Sequence, residues 1–192
     1  MRLTLIALLL AGPAGCGSEP ATDGGSDGEP TLSFEETRNA AEQGDVPAQF
    51  TLGLMYARGE GGTKDYAEVV KWYRKAAERG HASTQFYLGH AFHMGWGVSE
   101  DDVEAVKWFR KSAEQGHAGG QLHLGVRYDL GEGVPEDDLE AYVWFAIADA
   151  NGNIFAEDRM PELAATLTPD QLAAAGKRIA DLTGQINAST AE

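Results

Sequence analysis

The sequence repeats itself with a period of 36 residues between positions 44 and 152. Several glycines follow this step, and so do leucines, aspartates and tryptophans, each tryptophan being followed by an aromatic residue. Examples are Gly44, Gly80, Gly116, Gly152, Gly53, Gly89, Gly125, Asp65, Asp101, Asp137, Trp72, Trp108 and Trp144. Self-similarity at this spacing predicts stacked supersecondary units, because a single unit cannot bury its own apolar face.

Each period predicts two helices joined by a glycine turn. The spacing i, i+3, i+4 and i+7 places four residues on one face of the first helix, namely Gln49, Leu52, Gly53 and Tyr56. Gly59 and Gly61 then reverse the chain, since glycine tolerates positive φ. Asp65 and Glu68 have the spacing of a capping box at the start of a second helix, which ends at Gly80.

The ends of the periodic region carry helix signals of their own. Ser33 and Glu36 predict a lone N-terminal helix, and Thr168 with Gln171 predicts the start of a last helix. The latter would cover the apolar run at 141–148 with a stripe of Leu172, Ala175, Ile179 and Leu182. The fold is thus predicted to be an all-α solenoid of stacked αα-hairpins, with about three and a half repeats and a C-terminal capping helix.

The predicted divisions follow the period. They are a half-repeat helix at 33–44, repeats at 45–80, 81–116 and 117–152, capping helices at 153–184 and a tail at 185–192.

The N-terminus has the composition of an export signal. The apolar run after Arg2 is too short to cross a bilayer, so residues 1–15 are predicted to be a signal peptide. The residues around Cys16 resemble a bacterial lipobox, which implies that Cys16 carries a lipid anchor. Pro13 stands where that pattern usually has leucine, so cleavage without lipidation is the alternative.

Residues 16–32 contain Gly, Ser, Asp and Pro with almost no large apolar side chain, and they predict a disordered tether. With the lipid anchor, the chain would belong to the bacterial cell envelope, attached to a membrane and facing the periplasm. Without it, the chain would be a secreted or soluble periplasmic protein.

Charge and cysteine content exclude several classes of function. Lys and Arg total 15 against 30 Asp and Glu, which gives a formal charge of −15 and argues against nucleic-acid binding. This balance favours basic or neutral partners. The single cysteine excludes a disulfide framework and a thiolate zinc site.

Two segments carry a resemblance to a known family. Residues 48–56 read AQFTLGLMY and residues 104–118 read EAVKWFRKSAEQGHA; both are similar to Sel-one-like repeats, relatives of tetratricopeptide repeats, over about residues 34–184. The resemblance implies a right-handed superhelical scaffold that binds other proteins and is not an enzyme. One branch of the family is disulfide-rich and linked to penicillin binding and β-lactam hydrolysis. A cell-wall or β-lactam-interacting hydrolase is therefore the alternative, disfavoured here because paired cysteines are missing.

In tetratricopeptide relatives, a second stripe of the first helices lines a concave groove. By this resemblance, the predicted contacts with a peptide or protein partner are Phe50, Leu54, Phe86, His90, His93, Leu122, Val126 and Asp129. We refer to these eight residues as the predicted groove. An extended or helical peptide would fit between such helices.

No cofactor, metal or catalytic group is predicted. His90, His93 and Asp129 lack an identifiable further ligand for zinc, and no nucleophile-elbow motif is present. Trp96 breaks the repeat, because it lies between two turn glycines where the other units have glutamate. It is predicted to be exposed and to form a loop interface.

Overall fold

The computed structural model describes residues 32–190, in which all regular secondary structure is helical. The predicted all-α fold of stacked hairpins is confirmed. A short 3₁₀ turn, Glu157–Arg159, ends directly before residue 160. The helices are α1 Phe34–Glu42, α2 Val46–Arg58, α3 Tyr66–Glu78, α4 Ala82–Met94, α5 Asp102–Glu114, α6 Ala118–Leu130, α7 Asp138–Ala150, α8 Met160–Thr166 and α9 Pro169–Thr190.

The helix starts confirm the capping residues predicted from the sequence. Asp65, Asp101 and Asp137 each accept a hydrogen bond from a backbone N–H in the first turn of α3, α5 and α7. Ser33 and Glu36 form a reciprocal capping box at the start of α1. These contacts satisfy N–H groups that a helix start would otherwise leave unpaired.

The repeated aromatic and glycine residues pack between helices. A Cβ on Gly53 would lie 2.4 Å from Tyr73, and one on Gly89 would lie 2.7 Å from Phe109. Each first helix therefore touches the aromatic ring of its own second helix with no space for a side chain. The repeated tryptophans are buried with these rings, as expected for units that share a continuous core.

Buried glutamines form a second link between successive hairpins. The Nε2 groups of Gln49, Gln85 and Gln121 donate to the carbonyl oxygens of residues eight positions earlier, at 3.2, 3.0 and 3.1 Å. Gln121 Oε1 also accepts from Asn151 at 2.8 Å. Gln49 Oε1, in contrast, is buried without a hydrogen-bond partner.

Replacing Gln121 with leucine is expected to lower the free energy of unfolding by about 1–3 kcal/mol, because this buried side chain loses two hydrogen bonds, one to the Ala113 carbonyl and one from the Asn151 amide. Gln49→Leu is the matched control. Gln49→Leu breaks one hydrogen bond rather than two and removes an oxygen that is already unpaired. Its loss of unfolding free energy is therefore expected to be smaller. Urea unfolding followed by circular dichroism measures both, and equal losses would contradict the pairing argument.

The last helix covers the apolar surface of α7, as predicted. Val143 and Ile147 are buried in one cluster with residues of α9. Thr168 and Gln171 form the predicted capping contacts at the start of α9. However, α9 continues to Thr190, so the predicted tail at 185–192 is wrong for its described part, because Ile186 extends the buried stripe by one more turn.

The predicted signal peptide at 1–15, the predicted anchor Cys16 and the tether up to residue 31 lie outside the described residues. Between residues 32 and 190, no helix is long and apolar enough to cross a membrane.

Candidate partner-binding surface

Phe50 and Phe86 of the predicted groove belong to a continuous row of aromatic side chains from α2, α3 and α4. The Phe50 ring lies 5.8 Å from that of Tyr73 and 5.7 Å from that of Tyr87. Phe86 in turn contacts Tyr87 at 5.2 Å and His90 at 4.8 Å, edge to face. All five rings except Tyr73 are half-buried, so one side of the row faces solvent. Leu54 is half-buried beside this row.

The third unit does not continue this open surface. Leu122 and Val126 are buried, and the sequence prediction is therefore corrected for them: they are interior residues of α6. Asp129 is also buried. Its carboxylate accepts two hydrogen bonds from the Arg159 guanidinium, at 2.8 and 2.9 Å. Asp129 is thus occupied by an ion pair with the 3₁₀ turn, and the members of the predicted groove that remain partly exposed lie on α2 and α4.

His90 forms a close pair with His123, a residue of α6 that the sequence prediction did not include. Their Nε2 atoms are 3.2 Å apart, and both rings contact Phe109 edge to face or stacked. Burial lowers the pKa of His90 to about 4, with a smaller contribution from the nearby charges of His93 and Arg127. The same burial holds the pKa of His123 well below its ordinary value. Both rings are neutral near pH 7.

His93 is engaged in a charged cluster rather than directed at the aromatic row. Its Nδ1 lies 2.6 Å from Asp102 and 3.0 Å from Nη1 of Arg127. Arg127 Nη1 also lies 2.5 Å from Glu132. The positions of His93, Asp102 and Glu132 are close enough to share a metal ion. The buried Arg127 guanidinium already supplies the positive charge among these three half-buried residues, so the cluster acts as an ion-pair network.

The sequence carried a signal for this network. Arg127 is fully buried in α6, at a register that Met55 and Ala91 occupy in the other units. A charged residue at a repeated apolar position requires compensating partners in the interior. That mismatch indicates a local departure from the repeat.

Trp96 is not the freely exposed loop residue that the sequence predicts. It is half-buried, and its ring packs against Tyr66 with centroids 5.9 Å apart. The adjoining Gly97 also contacts Tyr66, since a Cβ at position 97 would lie 2.1 Å from the Tyr66 carbonyl oxygen. The loop is therefore held against the preceding hairpin.

His81 and His117 are repeat equivalents for which the sequence predicts a structural role, but sequence reasoning did not identify that role as helix capping. Each is the N-cap of a first helix, where its Nδ1 accepts from the backbone N–H of Thr84 at 3.3 Å or of Gly120 at 3.1 Å. Asp45 caps α2 in the same register. Burial lowers the pKa of both histidines, which keeps the accepting nitrogen unprotonated.

The repeat units match a known family. The sequence model of the Sel1 repeat matches residues 46–81, 82–117 and 118–153, more than half of the chain. The chain belongs to the Sel1 repeat family. Sel1 repeat proteins are generally protein-interaction scaffolds and are not enzymes in general.

Relatives of known structure share the stacked hairpins. A protective antigen present in uropathogenic Escherichia coli strains and displaying an SLR fold matches with a TM-score of 0.62 and 29% identity, over 82% of this chain and 42% of that one. A Sel1 repeat protein from Oxalobacter formigenes matches with a TM-score of 0.60 and 34% identity, over 66% of this chain and 58% of the other. Helicobacter pylori cysteine rich protein B, at 21% identity and a TM-score of 0.51, shares the fold.

One curated relative is the secretory immunoglobulin A-binding protein EsiB of Escherichia coli, 45% identical over 75 residues. That match covers 39% of this chain and 14% of EsiB. The chain thus spans less than two thirds of the length of EsiB and of the first two structures.

Proposed function

We propose that this Sel1 repeat chain is a non-enzymatic scaffold of the bacterial cell envelope that binds a peptide or protein partner on α2 and α4. The observation that carries the proposal is the half-buried aromatic row containing Phe50 and Phe86, with Leu54 beside it. Aromatic side chains fixed by packing bind a partner with little loss of conformational entropy. They are also enriched among residues that dominate protein interfaces.

The remaining members of the open surface set its chemistry. His90 is neutral and already paired with His123, so it offers an uncharged aromatic ring rather than a charge. The contact region is then aromatic and largely uncharged, which favours a partner segment with apolar side chains. The relative EsiB, whose name describes binding to an immunoglobulin, supports a protein as the ligand class.

The location is proposed from the N-terminal sequence. The signal-like residues 1–15 and the lipobox-like context of Cys16 support export followed by lipid attachment at the envelope. The following Gly/Ser/Asp segment supplies a spacer between the membrane and the repeats. The bacterial origin of the matched proteins is consistent with this assignment.

Leu54→Ser is expected to weaken partner binding by about tenfold, because it removes an apolar contact from the proposed surface without touching the N-caps or the glutamine links. A photoreactive amino acid at position 54 first captures the partner in cells, and affinity for the captured partner is then measured by calorimetry. Glu35→Ser, on the exposed side of α1, is the control and leaves affinity unchanged.

Two outcomes contradict the proposal. One is an equal yield of the same crosslinked product with the photoreactive group at position 35. The other is unchanged affinity in Leu54→Ser with an unchanged melting temperature. The melting temperature separates a binding effect from a loss of fold.

A further inference from the structure

A second surface lies on the other helices of the hairpins, away from the predicted groove. A depression of about 480 Å³ opens between α5 and the turn that follows α6. Its apolar lining comes from Val103, Val106 and Val134, and Val103 is 54% exposed. We call this depression the α5 pocket. A single exposed valine is ordinary, but three valines around one hollow form a place where an apolar side chain can be buried.

The charge around the α5 pocket is opposite to that of the whole chain. Lys107, Arg110 and Lys111 line it, together with Glu114, whereas the chain has a formal charge of −15. Lys107 pairs with Glu104 at 2.8 Å, and Lys111 lies 4.1 Å from the centroid of the Trp108 ring. Both lysines are exposed, so these contacts stabilise the fold little and can be exchanged for an incoming carboxylate.

In the next repeat unit, the equivalent side of α7 is already covered by another helix of the chain, α9. One period later, Lys107 and Lys111 correspond to Val143 and Ile147, which are buried in one cluster with residues of α9. Helix α9 also contacts α5. The chain itself therefore shows that a helix packs across this side of a second helix, and the α5 pocket continues that interface onto a unit where cations replace the apolar residues.

We infer that the α5 pocket binds an acidic amphipathic helix of a partner protein. Its apolar side chains enter the hollow between the valines, and its carboxylates meet Lys107, Arg110 and Lys111. The net charge of −15 favours basic or neutral partners over the surface as a whole, but charges at 0.1 M salt act over only about 10 Å, so a single helix in the α5 pocket meets mainly the local cations. An anionic membrane is disfavoured as the occupant because an extended surface also faces the acidic rest of the chain.

The test uses a fluorescent helical peptide of Glu, Ala and Leu, with leucines at i, i+3 and i+7. At about 0.1 M salt, where the screening length is about 10 Å, the peptide is expected to bind and to shift the NMR methyl resonances of Val103 and Val134. Charge reversal by Lys107→Glu with Lys111→Glu weakens binding by about tenfold. Val103→Ser weakens it as well, without loss of the fold, since that side chain is exposed.

The matched control is Lys71→Glu with Lys75→Glu on α3. These lysines make the same contacts one period earlier, Lys71 with Glu68 at 2.8 Å and Lys75 at 4.1 Å from the Trp72 ring centroid. The control changes the net charge equally and is expected to weaken peptide binding less than about twofold. Leu54→Ser leaves the peptide affinity unchanged, which separates this surface from the predicted groove.

Three results would overturn the inference. The first is equal loss of affinity in the α3 and α5 charge reversals, which would indicate general charge attraction. The second is the absence of methyl shifts at saturating peptide. The third is tighter binding to phosphatidylglycerol vesicles than to the peptide, lost on reversal at Lys107 and Lys111 but unaffected by Val103→Ser. That result would make the surface a membrane contact.

Discussion

Replacing Gly133 with alanine is expected to lower the free energy of unfolding by about 3–5 kcal/mol, a large share of the roughly 5–15 kcal/mol that is typical of a folded domain. Gly133 has φ +72°, a conformation that residues with a Cβ rarely adopt. In addition, a Cβ would lie 2.2 Å from the carbonyl oxygen of Asp102. That neighbour is backbone at the start of α5 and cannot move aside as a side chain could. The turn and the previous hairpin must therefore separate.

Urea unfolding of Gly133→Ala, followed by circular dichroism, measures this loss. Gly176→Ala is the control, because Gly176 is exposed in α9 and no atom would lie within 4 Å of the added Cβ. Alanine in an open helix position is expected to raise stability by about 0.5–1 kcal/mol. A loss of unfolding free energy below about 1 kcal/mol in Gly133→Ala would show that the turn can relax. The close contact between Gly133 and the Asp102 backbone would then not be required for the units to stack.

These turn glycines also explain why the fold could be predicted from the sequence. A repeated glycine has a local cause, either a positive φ or a close approach, and both recur whenever the same unit recurs. Gly97 shows the same combination as Gly133, with φ +70° and a contact with the Tyr66 backbone. The Asp caps of α3, α5 and α7 are likewise local. Structural features such as turns and helix caps, which depend on local residues of the repeat, can therefore be predicted from the repeat pattern.

The open part of the groove could not be read in the same way. Leu122 and Val126 share the register of Phe86 and His90, but in the structure they are buried. Asp129 is covered by Arg159, which is 30 residues away in a segment outside the repeat. Periodicity predicts the register of a residue within the stack. It does not predict the ion pair between Asp129 and Arg159, because Arg159 belongs to a segment that does not repeat.

Trp96 was mispredicted for a related reason. Its partner Tyr66 stands at a register that Asp102 and Asp138 occupy in the other units. Both members of the contact are departures from the repeat, and they compensate each other. Trp96 considered alone looks like an exposed residue that breaks the repeat. The packed contact becomes evident only when Trp96 and Tyr66 are considered together.

Lowering the pH from 7.5 to 5 is expected to destabilise the protein, with His90 alone contributing about 2 kcal/mol. The pKa of His90 is about 4 in the folded protein and near 6.5 when the chain is unfolded. At pH 5 the unfolded state therefore binds a proton that the folded state does not. The contribution of His90 to stability is complete above pH 6.5 and is lost as the pH falls toward 4. His123 acts in the same direction.

The variant His90→Gln tests this assignment, because glutamine does not titrate and can still donate a hydrogen bond to His123. Urea unfolding is measured for both proteins at pH 7.5, 6.5, 5.5 and 5, above the range in which most carboxylates titrate. The difference in unfolding free energy between pH 7.5 and pH 5 is expected to be about 2 kcal/mol smaller in His90→Gln.

The comparison across pH within each protein cancels any packing defect that glutamine introduces, since such a defect is the same at every pH. An equal drop in both proteins would contradict the assignment to His90 and place proton uptake on other histidines. The capping histidines are the next candidates, because burial lowers the pKa of His81 and His117 as well. Protonation of either would remove the acceptor at a first-helix start, so acid sensitivity would then arise at the helix caps rather than beside the aromatic row.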